Sequence, residues 1–365
     1  MSDVVERARA CTECNVCMEV CPTYEVTGEW LQSPLGRLQS AIEVFEAADV
    51  SEQSVESLSS CLICLACDAA CPYDIEVSDI VLRSRHRLVE RGLGPLPGHS
   101  RVVEGILAKG NSVNGEPGKR LEWLPEPFVR KESDTLFYVG CLGSYIVKDA
   151  ASSAYLVLKK LGIDFKILED EGCCGTFLYE CGDIDRARRL FESNVERFRS
   201  EGVTRIVCLC PACHKCFESF YPDLLGETGF TVQHLVQVVH ERLKDSPELL
   251  KPVPRTVVYQ EPCRLGRGEG VTVEPREVLE WCGAAVGEME RSGDSASCCG
   301  AGGGVMTLYR DLATKVGSRL LGMAAVDSVV TTCPFCVFSL NRAAKAGELT
   351  KRITYFTNLL LESLP

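Results

Sequence analysis

The sequence predicts an α+β chain, with a mostly α-helical N-terminal domain followed by two duplicated α/β domains built on parallel sheets. Three observations carry that expectation. Of the 22 cysteines among 365 residues, 18 fall into two pairs of repeated blocks. In the second pair Cys141, Cys173, Cys174, Cys210 and Cys213 recur as Cys263, Cys298, Cys299, Cys333 and Cys336, at shifts of 122, 125, 125, 123 and 123 positions, which marks an internal duplication. In each copy short runs of strand formers alternate with amphipathic stretches, the order that builds parallel sheets.

Residues 1–91 form the first domain. Apolar residues recur with helical spacing over 38–48 and 80–90, so the cysteines there sit among helices. Cys11, Cys14, Cys17 and Cys21 precede Pro22, and Cys61, Cys64, Cys67 and Cys71 precede Pro72, each reading C-x2-C-x2-C-x3-C-P. That is the run of bacterial two-cluster ferredoxins. Three thiolates wrap one [4Fe-4S] cubane, and the fourth, carried into a helix that proline opens, ligates the other cluster. The ligand sets are therefore expected to cross: Cys11, Cys14, Cys17 and Cys71 on one cubane, and Cys61, Cys64, Cys67 and Cys21 on the other. Zinc ribbons and disulfides also use C-x2-C pairs, but neither calls for two copies of a four-cysteine run ending in proline.

Residues 92–130 are dense in Gly and Pro and read as a connector strapping the first domain to the rest of the chain. The two repeats occupy 131–250 and 251–365. In the first, strand-type runs at 135–139, 165–168 and 206–209 come just before Cys141, Cys173 and Cys213, and their duplicates are 256–259, 284–286 and 328–332. Amphipathic stretches such as 151–161, 184–199 and 312–323 lie between. The cysteines then gather at strand carboxyl ends, where open α/β sheets place functional groups. Each repeat offers five thiols where a cubane needs four, and two of the five are adjacent, which points to a centre of non-standard geometry.

Four cysteines remain: Cys181, Cys208, Cys216 and Cys282. Cys208 is expected to face the core, and Cys181 and Cys216 to be buried hydrophobes near the ligands. His234 and His240 read as satisfied side chains of an apolar helical stretch. The run Gly300-Ala301-Gly302-Gly303-Gly304 lacks the strand, helix and distant acid of a dinucleotide fingerprint, and two cysteines open it.

With 39 Lys plus Arg against 51 Asp plus Glu, the net charge of -12 argues against a nucleic-acid partner. Thiols arranged for metal imply a reducing, oxygen-poor compartment, so the cytoplasm is expected. No apolar run approaches the roughly 18 residues needed to span a bilayer. Residues 1–6 lack a basic n-region. Membrane contact is therefore expected only through a partner, at the inner face.

With Asn111, Gly115, Arg120 and Trp123 in the connector and the segment Ser33-Pro34-Leu35-Gly36-Arg37, these motifs resemble the CCG-domain iron-sulfur oxidoreductases. That family includes heterodisulfide reductase catalytic subunits and iron-sulfur subunits of glycolate oxidase, lactate-utilisation and anaerobic glycerol-3-phosphate dehydrogenases. A ferredoxin-like part fused to two CCG repeats most resembles the D type of heterodisulfide reductase, in which C-type and B-type subunits are joined, over essentially the whole of residues 1–365.

The resemblance implies a noncubane [4Fe-4S] cluster in each intact repeat, the first on Cys141, Cys173, Cys174, Cys210 and Cys213, the second on Cys263, Cys298, Cys299, Cys333 and Cys336. A small-molecule disulfide would be cleaved between the two, with electrons fed by the two ferredoxin-type cubanes and no flavin or NAD in this chain. Both quintets are complete, which within the family favours disulfide reduction over relay. The implied partners are an electron-donor subunit, flavoprotein or membrane cytochrome b-type, and a disulfide or thiol substrate. The alternative is the electron-transfer subunit of a flavoprotein dehydrogenase for glycolate, lactate or glycerol 3-phosphate.

Gly175 and Gly300, after the paired cysteines, would let backbone N–H groups approach cluster sulfides and raise the reduction potential, an ordinary turn being the other reading. One departure stands out. Where the family often reads Tyr-His-Asp-Pro-Cys-His, this chain reads Tyr259-Gln260-Glu261-Pro262-Cys263-Arg264, so an imidazole proton donor is missing. Arg264 and Arg267 become candidate clamps for an anionic substrate, set against solvent exposure or pairing with acids such as Glu261.

Overall fold

The computed structural model describes residues 2–365; Met1, where the reading of the N-terminus begins, lies outside them. In the N-terminal part, helices Ser2–Arg9, Pro34–Glu46, Glu52–Ser59 and Val77–Glu90 bury Val4, Ala41, Val44, Leu58, Ile80 and Val81 together. The sequence explains why. Leu38, Ala41 and Val44 recur along one stripe, while Ser33 caps their helix by accepting the Gly36 N–H, with Pro34 in the first turn. Pro22 opens helix Pro22–Thr27, but Pro72 opens none. Asp74 takes a left-handed conformation (φ 55°), the chain turns there, and helix resumes only at Val77.

The connector is more ordered than its composition suggests, because it contains helix Pro97–Lys109. Its prolines and glycines mark the ends of that helix: Pro97 sits in the first turn and Gly110 (φ 68°) closes the last. Further on, Asn111, fully buried, binds the Lys109 and Gly115 carbonyls and the Val113 and Gly115 N–H groups, and Trp123 packs edge-on against Phe137 and Tyr155.

The first repeat carries a parallel sheet of β1 (Thr135–Tyr138), β2 (Arg205–Cys208) and β3 (Thr231–His234), in the order β1-β2-β3. The second carries β4 (Arg255–Gln260), β5 (Ala284–Glu288), β6 (Ser328–Thr331) and β7 (Arg352–Tyr355), also parallel, in the order β5-β4-β6-β7. The strand expected at 165–168 is reduced to one bridge, Lys166 to Leu136, because Glu169 and Asp170 turn the chain away toward Cys173. That bridge holds the place of β5, so both sheets share one topology. His234 ends β3 and caps helix Leu235–Leu243 rather than lying in a helix; its ring accepts from the Val236 N–H and meets the Leu209 carbonyl.

The two repeats contact each other reciprocally. Helix Lys148–Lys160 of the first packs on Phe356–Ser363 of the second, and the equivalent pair, Val273–Trp281 with Leu235–Leu243, packs in the opposite sense. Helices Pro211–Lys215 and Cys263–Glu269 likewise touch, as do Pro334–Ala346 and Gly140–Tyr145. Such reciprocity is the mark of a two-fold relation between like units. The duplication in sequence is a pseudo-two-fold axis in space. Among the described residues no helix is long and apolar enough to cross a membrane.

Candidate functional site

Two loops shape the N-terminal sites. Glu13 and Asn15 have φ of 55° and 66°, and the matching Ile63 and Leu65 have 49° and 64°. A β-branched residue at positive φ is strained, and alternating left-handed backbone turns N–H groups inward into a nest that receives an anion. Cys11, Cys14, Cys17 and Cys71 line one cavity, and Cys21, Cys61, Cys64 and Cys67 line another, so each takes three cysteines from one loop and the fourth from the other. Burial, with Cys11 and Cys14 nearby, pushes the Cys17 thiol up to about 12. The Cys64 thiol is pulled down to about 6, first by its contact with Cys298 and then by Arg267.

In the repeats every cysteine of a quintet follows a strand or its remnant. Cys141 follows β1, Cys173 and Cys174 follow the Lys166 bridge, and Cys210 and Cys213 follow β2; Cys263, the Cys298-Cys299 pair, and Cys333 and Cys336 follow β4, β5 and β6. The sheet order reverses direction between β4 and β6, the switch point where open sheets bind ligands. Within the first quintet Cys173 is in hydrogen-bonding reach of Cys141 and Cys174, and Cys213 of Cys174 and Cys210. The second repeats the pattern, Cys298 reaching Cys263 and Cys299, and Cys336 reaching Cys299 and Cys333. Donation from Cys173, Cys213 and Cys298 draws Cys174, Cys210 and Cys299 respectively well below the usual thiol range.

The quintets also meet each other. Cys210 and Cys333, equivalent residues of the two repeats, lie in reach across the pseudo-two-fold. A cavity of about 440 Å³ opens at this junction, lined by all five cysteines of the first quintet and, from the second repeat, by Arg264, residues 301–304, Phe335 and Phe338.

Arg264 lines the cavity, but its guanidinium is paired with the buried Glu180, so its charge is already matched. Glu261 is held instead by Arg276, at 3.1 Å. Arg267 is no substrate clamp: Nε and an Nη bind the Cys64 carbonyl at 3.0 and 2.8 Å, tying the second repeat to a cysteine loop of the first domain. Gly175 (φ 87°) donates its N–H to Cys173 Sγ at 3.4 Å. At Gly300 (φ 85°) a Cβ would strike the Ala313 carbonyl. Gly302 and Gly303 lie flat on the Leu62 and Cys61 carbonyls, so the glycine run is the seam between the second repeat and the N-terminal domain.

Three further residues carried no signal in the sequence. Arg85, 3% exposed, donates to the carbonyls of Leu58, Ser59, Cys61, Glu180 and Gly303, joining the N-terminal part to both repeats. Glu171 accepts the Val139 and Gly140 N–H groups at 3.0 and 2.9 Å and pairs with Arg120, fixing the turn that presents Cys141. Glu180, the partner of Arg264, is the third. Of the remaining cysteines, Cys208 is fully buried on β2, Cys282 is buried, Cys181 bonds the Leu178 carbonyl at 3.4 Å, and Cys216 bonds the Cys174 carbonyl at 3.2 Å. All-thiol donor sets, inward N–H nests and unpaired guanidiniums fit anionic iron-sulfur clusters.

Comparison with known proteins agrees. A family model described as a cysteine-rich domain matches residues 135–218 and 257–341, and a 4Fe-4S dicluster domain matches 7–75. The chain is 31% identical to the D subunit of dihydromethanophenazine:CoB–CoM heterodisulfide reductase from Methanosarcina barkeri, over 97% of this chain and 93% of that one. It is 30% identical to the B subunit of fumarate reductase (CoM/CoB) from Methanothermobacter marburgensis, over 91% of this chain and 67% of that protein. It is 28% identical to an EtfAB:quinone oxidoreductase of Syntrophomonas wolfei, over 95% of this chain and 56% of that protein. The chain belongs to the CCG-domain iron-sulfur oxidoreductases, the family that includes the heterodisulfide reductase D subunits.

Proposed function

We propose that this iron-sulfur oxidoreductase cleaves, and in reverse forms, the S–S bond of a small-molecule disulfide where its two cysteine quintets meet. The cavity where the repeats meet carries the reading: all five cysteines of the first quintet line it, and one of them, Cys210, is in reach of Cys333 of the second. Each quintet would hold a noncubane [4Fe-4S] cluster, and the two four-cysteine sets a cubane each. Clusters supply electrons singly, and the reaction RSSR′ + 2e⁻ + 2H⁺ → RSH + R′SH consumes two.

The chain's own residues do the rest. Phe177, Phe335 and Phe338 give the cavity an apolar wall for the sulfur atoms, while Arg101, Arg310 and Arg342 line it with positive charge suited to acidic groups on the substrate. Arg264, after Cys263, stays charged and donates no proton, so neither proton is assigned to it. Electrons arrive at the N-terminal sets from a donor subunit, a flavoprotein or cytochrome b-type protein, in keeping with relatives that are named as subunits. The resemblance to an EtfAB:quinone oxidoreductase favours a second reading, an electron wire between a flavoprotein and a quinone.

One experiment separates them. Anaerobically purified chain, with about sixteen iron atoms under this ligation, is assayed with reduced viologen and a panel of acidic disulfides. Turnover that is lost in Cys210→Ser and Cys333→Ser supports disulfide chemistry, and no turnover with any disulfide at full iron content leaves the wire.

A further inference from the structure

We infer that Arg37, Arg85 and Arg267 hold the cluster at Cys21, Cys61, Cys64 and Cys67 at a higher reduction potential than the cluster at Cys11, Cys14, Cys17 and Cys71, so that an electron entering the chain comes to rest beside the second repeat. The inference rests on the ligand sets proposed above and adds to them an order of filling and the residues that set it.

The two cavities look alike in sequence and differ in charge. Arg37, 2% exposed, points one Nη at Cys21 Sγ (3.5 Å) and gives its other nitrogens to Thr23 Oγ1 (2.9 Å) and the Ser57 carbonyl (3.2 Å). Arg85 reaches the Cys61 carbonyl at 2.8 Å, and Arg267 the Cys64 carbonyl at 2.8 and 3.0 Å. Among the described residues none of the three has a carboxylate within 4.0 Å. Buried cations without a paired carboxylate are costly, and an anion held by the four thiols would neutralise them. Asp68, 3.4 Å from Cys67 Sγ and held by the Ser78 N–H, opposes them, and Glu180, which also acts on Arg85, is already paired with Arg264; the three cations outnumber the one carboxylate at the thiols. The other cavity is lined by Cys11, Cys14, Cys17 and Cys71 with Thr, Asn, Leu, Pro, Tyr, Ile and Val, and no charged side chain.

Reduction adds one negative charge to a cluster. Fixed cations and hydrogen bonds nearby stabilise the reduced state and raise the potential. Water opposes the ordering, since Cys14 is exposed and solvent also eases the added charge on the first cluster. That help is screened in a high dielectric, whereas three guanidiniums act through protein of low dielectric at short range, so the cations decide. The site they favour is the one that leads onward: Cys64 is in reach of Cys298, and Gly302 and Gly303 seat the second repeat on the same loop. One electron from an external one-electron reductant reduces the exposed first cluster, which is reoxidised as the second is reduced.

The test is an anaerobic redox titration of the full chain followed by electron paramagnetic resonance, with iron counted in every sample. Wild type is expected to show two one-electron cubane components at separate potentials. Arg37→Gln should lower only the higher one, with about a tenfold fall in its reduced fraction at fixed potential, ~59 mV for one electron; Arg37→Lys, keeping the charge, should recover most of it. Arg267→Gln, on a partly exposed side chain, should act in the same direction and decides the matter if Arg37→Gln loses iron. Cys14→Ser should move only the lower component. At full iron content, equal shifts of both components, or a shift of the lower one alone, would overturn the inference. Iron well short of two cubanes in wild type would instead defeat the ligand assignment beneath it.

Discussion

Removing Arg120 tests whether the connector holds the first quintet in place. Arg120→Met keeps the aliphatic stem and deletes the cation from a pair whose side chains are 6% and 2% exposed. Glu171 keeps the Val139 and Gly140 N–H groups but loses its counter-charge, and breaking a buried pair on one side costs about 3–5 kcal/mol. With an unfolding entropy of about 2.1 cal/mol/K per residue over the 365 residues, ~0.77 kcal/mol/K in all, the melting temperature should fall by about 4–6.5 °C. Anaerobic melts at one fixed scan rate measure it, since such proteins unfold irreversibly. Arg120→Met with Glu171→Gln should recover at least half the loss, because the amide leaves no orphan charge and still accepts an N–H. The pH dependence has a fixed sign. In Arg120→Met the buried Glu171 carboxyl has a folded pKa above its unfolded one, so the stability it contributes is present at low pH and lost as pH rises through the folded value. The deficit should therefore shrink between pH 8 and pH 5. A variant melting within 1 °C of wild type, or a deficit that grows on acidification, would refute the reasoning.

Two other outcomes follow from the structure. Gly303→Ala places a methyl on the Cys61 carbonyl at φ 59°, whereas Gly202→Ala has the same backbone demand (φ 66°) with open space around it; both should cost about 1–2 kcal/mol for the left-handed backbone, but only Gly303→Ala should slow viologen-driven turnover, by tenfold or more. Equal activity in the two would show that the seam does not matter. Burial holds His86 and His99 down to about 4 and His234 to about 3, so above about pH 6.5 they are neutral in both states, and below it the unfolded chain takes up protons that the folded one refuses. Stability should fall as pH drops from 6.5 toward 4, by about 1.4 kcal/mol per pH unit for each histidine, and His99→Gln should flatten the slope measured by anaerobic melts between pH 5 and 7.

Most of the fold is legible in the sequence because cysteine spacing and strand runs are local signals. The strands that precede cysteines, β1, β2, β4, β5 and β6, are each marked by a short run of strand formers, and so is the bridge at Lys166, whose run is right and whose strand is too short to pair. The edge strands β3 and β7 escape notice since each has four residues and runs straight into a helix whose apolar periodicity hides it. Helix Pro97–Lys109 is hidden by the glycines and prolines that bound it. At the site, the cysteines are legible and their supporting charges are not. Arg85, Glu171 and Glu180 look like any charged residue of a helix or turn, and only the fold shows that their partners stand far off in the chain, as Gly303 does for Arg85, 218 residues away. Arg264 and Arg267 differ for the same reason: adjacent turns of one short helix send one to the cavity and the other to Cys64.

Duplication explains why the site lies where it does. On a two-fold axis a residue meets its own equivalent, so a cysteine placed near the axis in one ancestral unit brings two centres together with no further change. Cys210 and Cys333 stand in that relation. The surroundings then break the symmetry: the second repeat is pinned to the N-terminal domain by the glycine run, Arg267 and the Cys64–Cys298 contact, while all five cysteines of the first face the cavity. Sequence-equivalent quintets therefore occupy inequivalent positions, one against the N-terminal cysteine loops and one next to the open cavity, and a ligand change in either is expected to have a different consequence from the same change in the other.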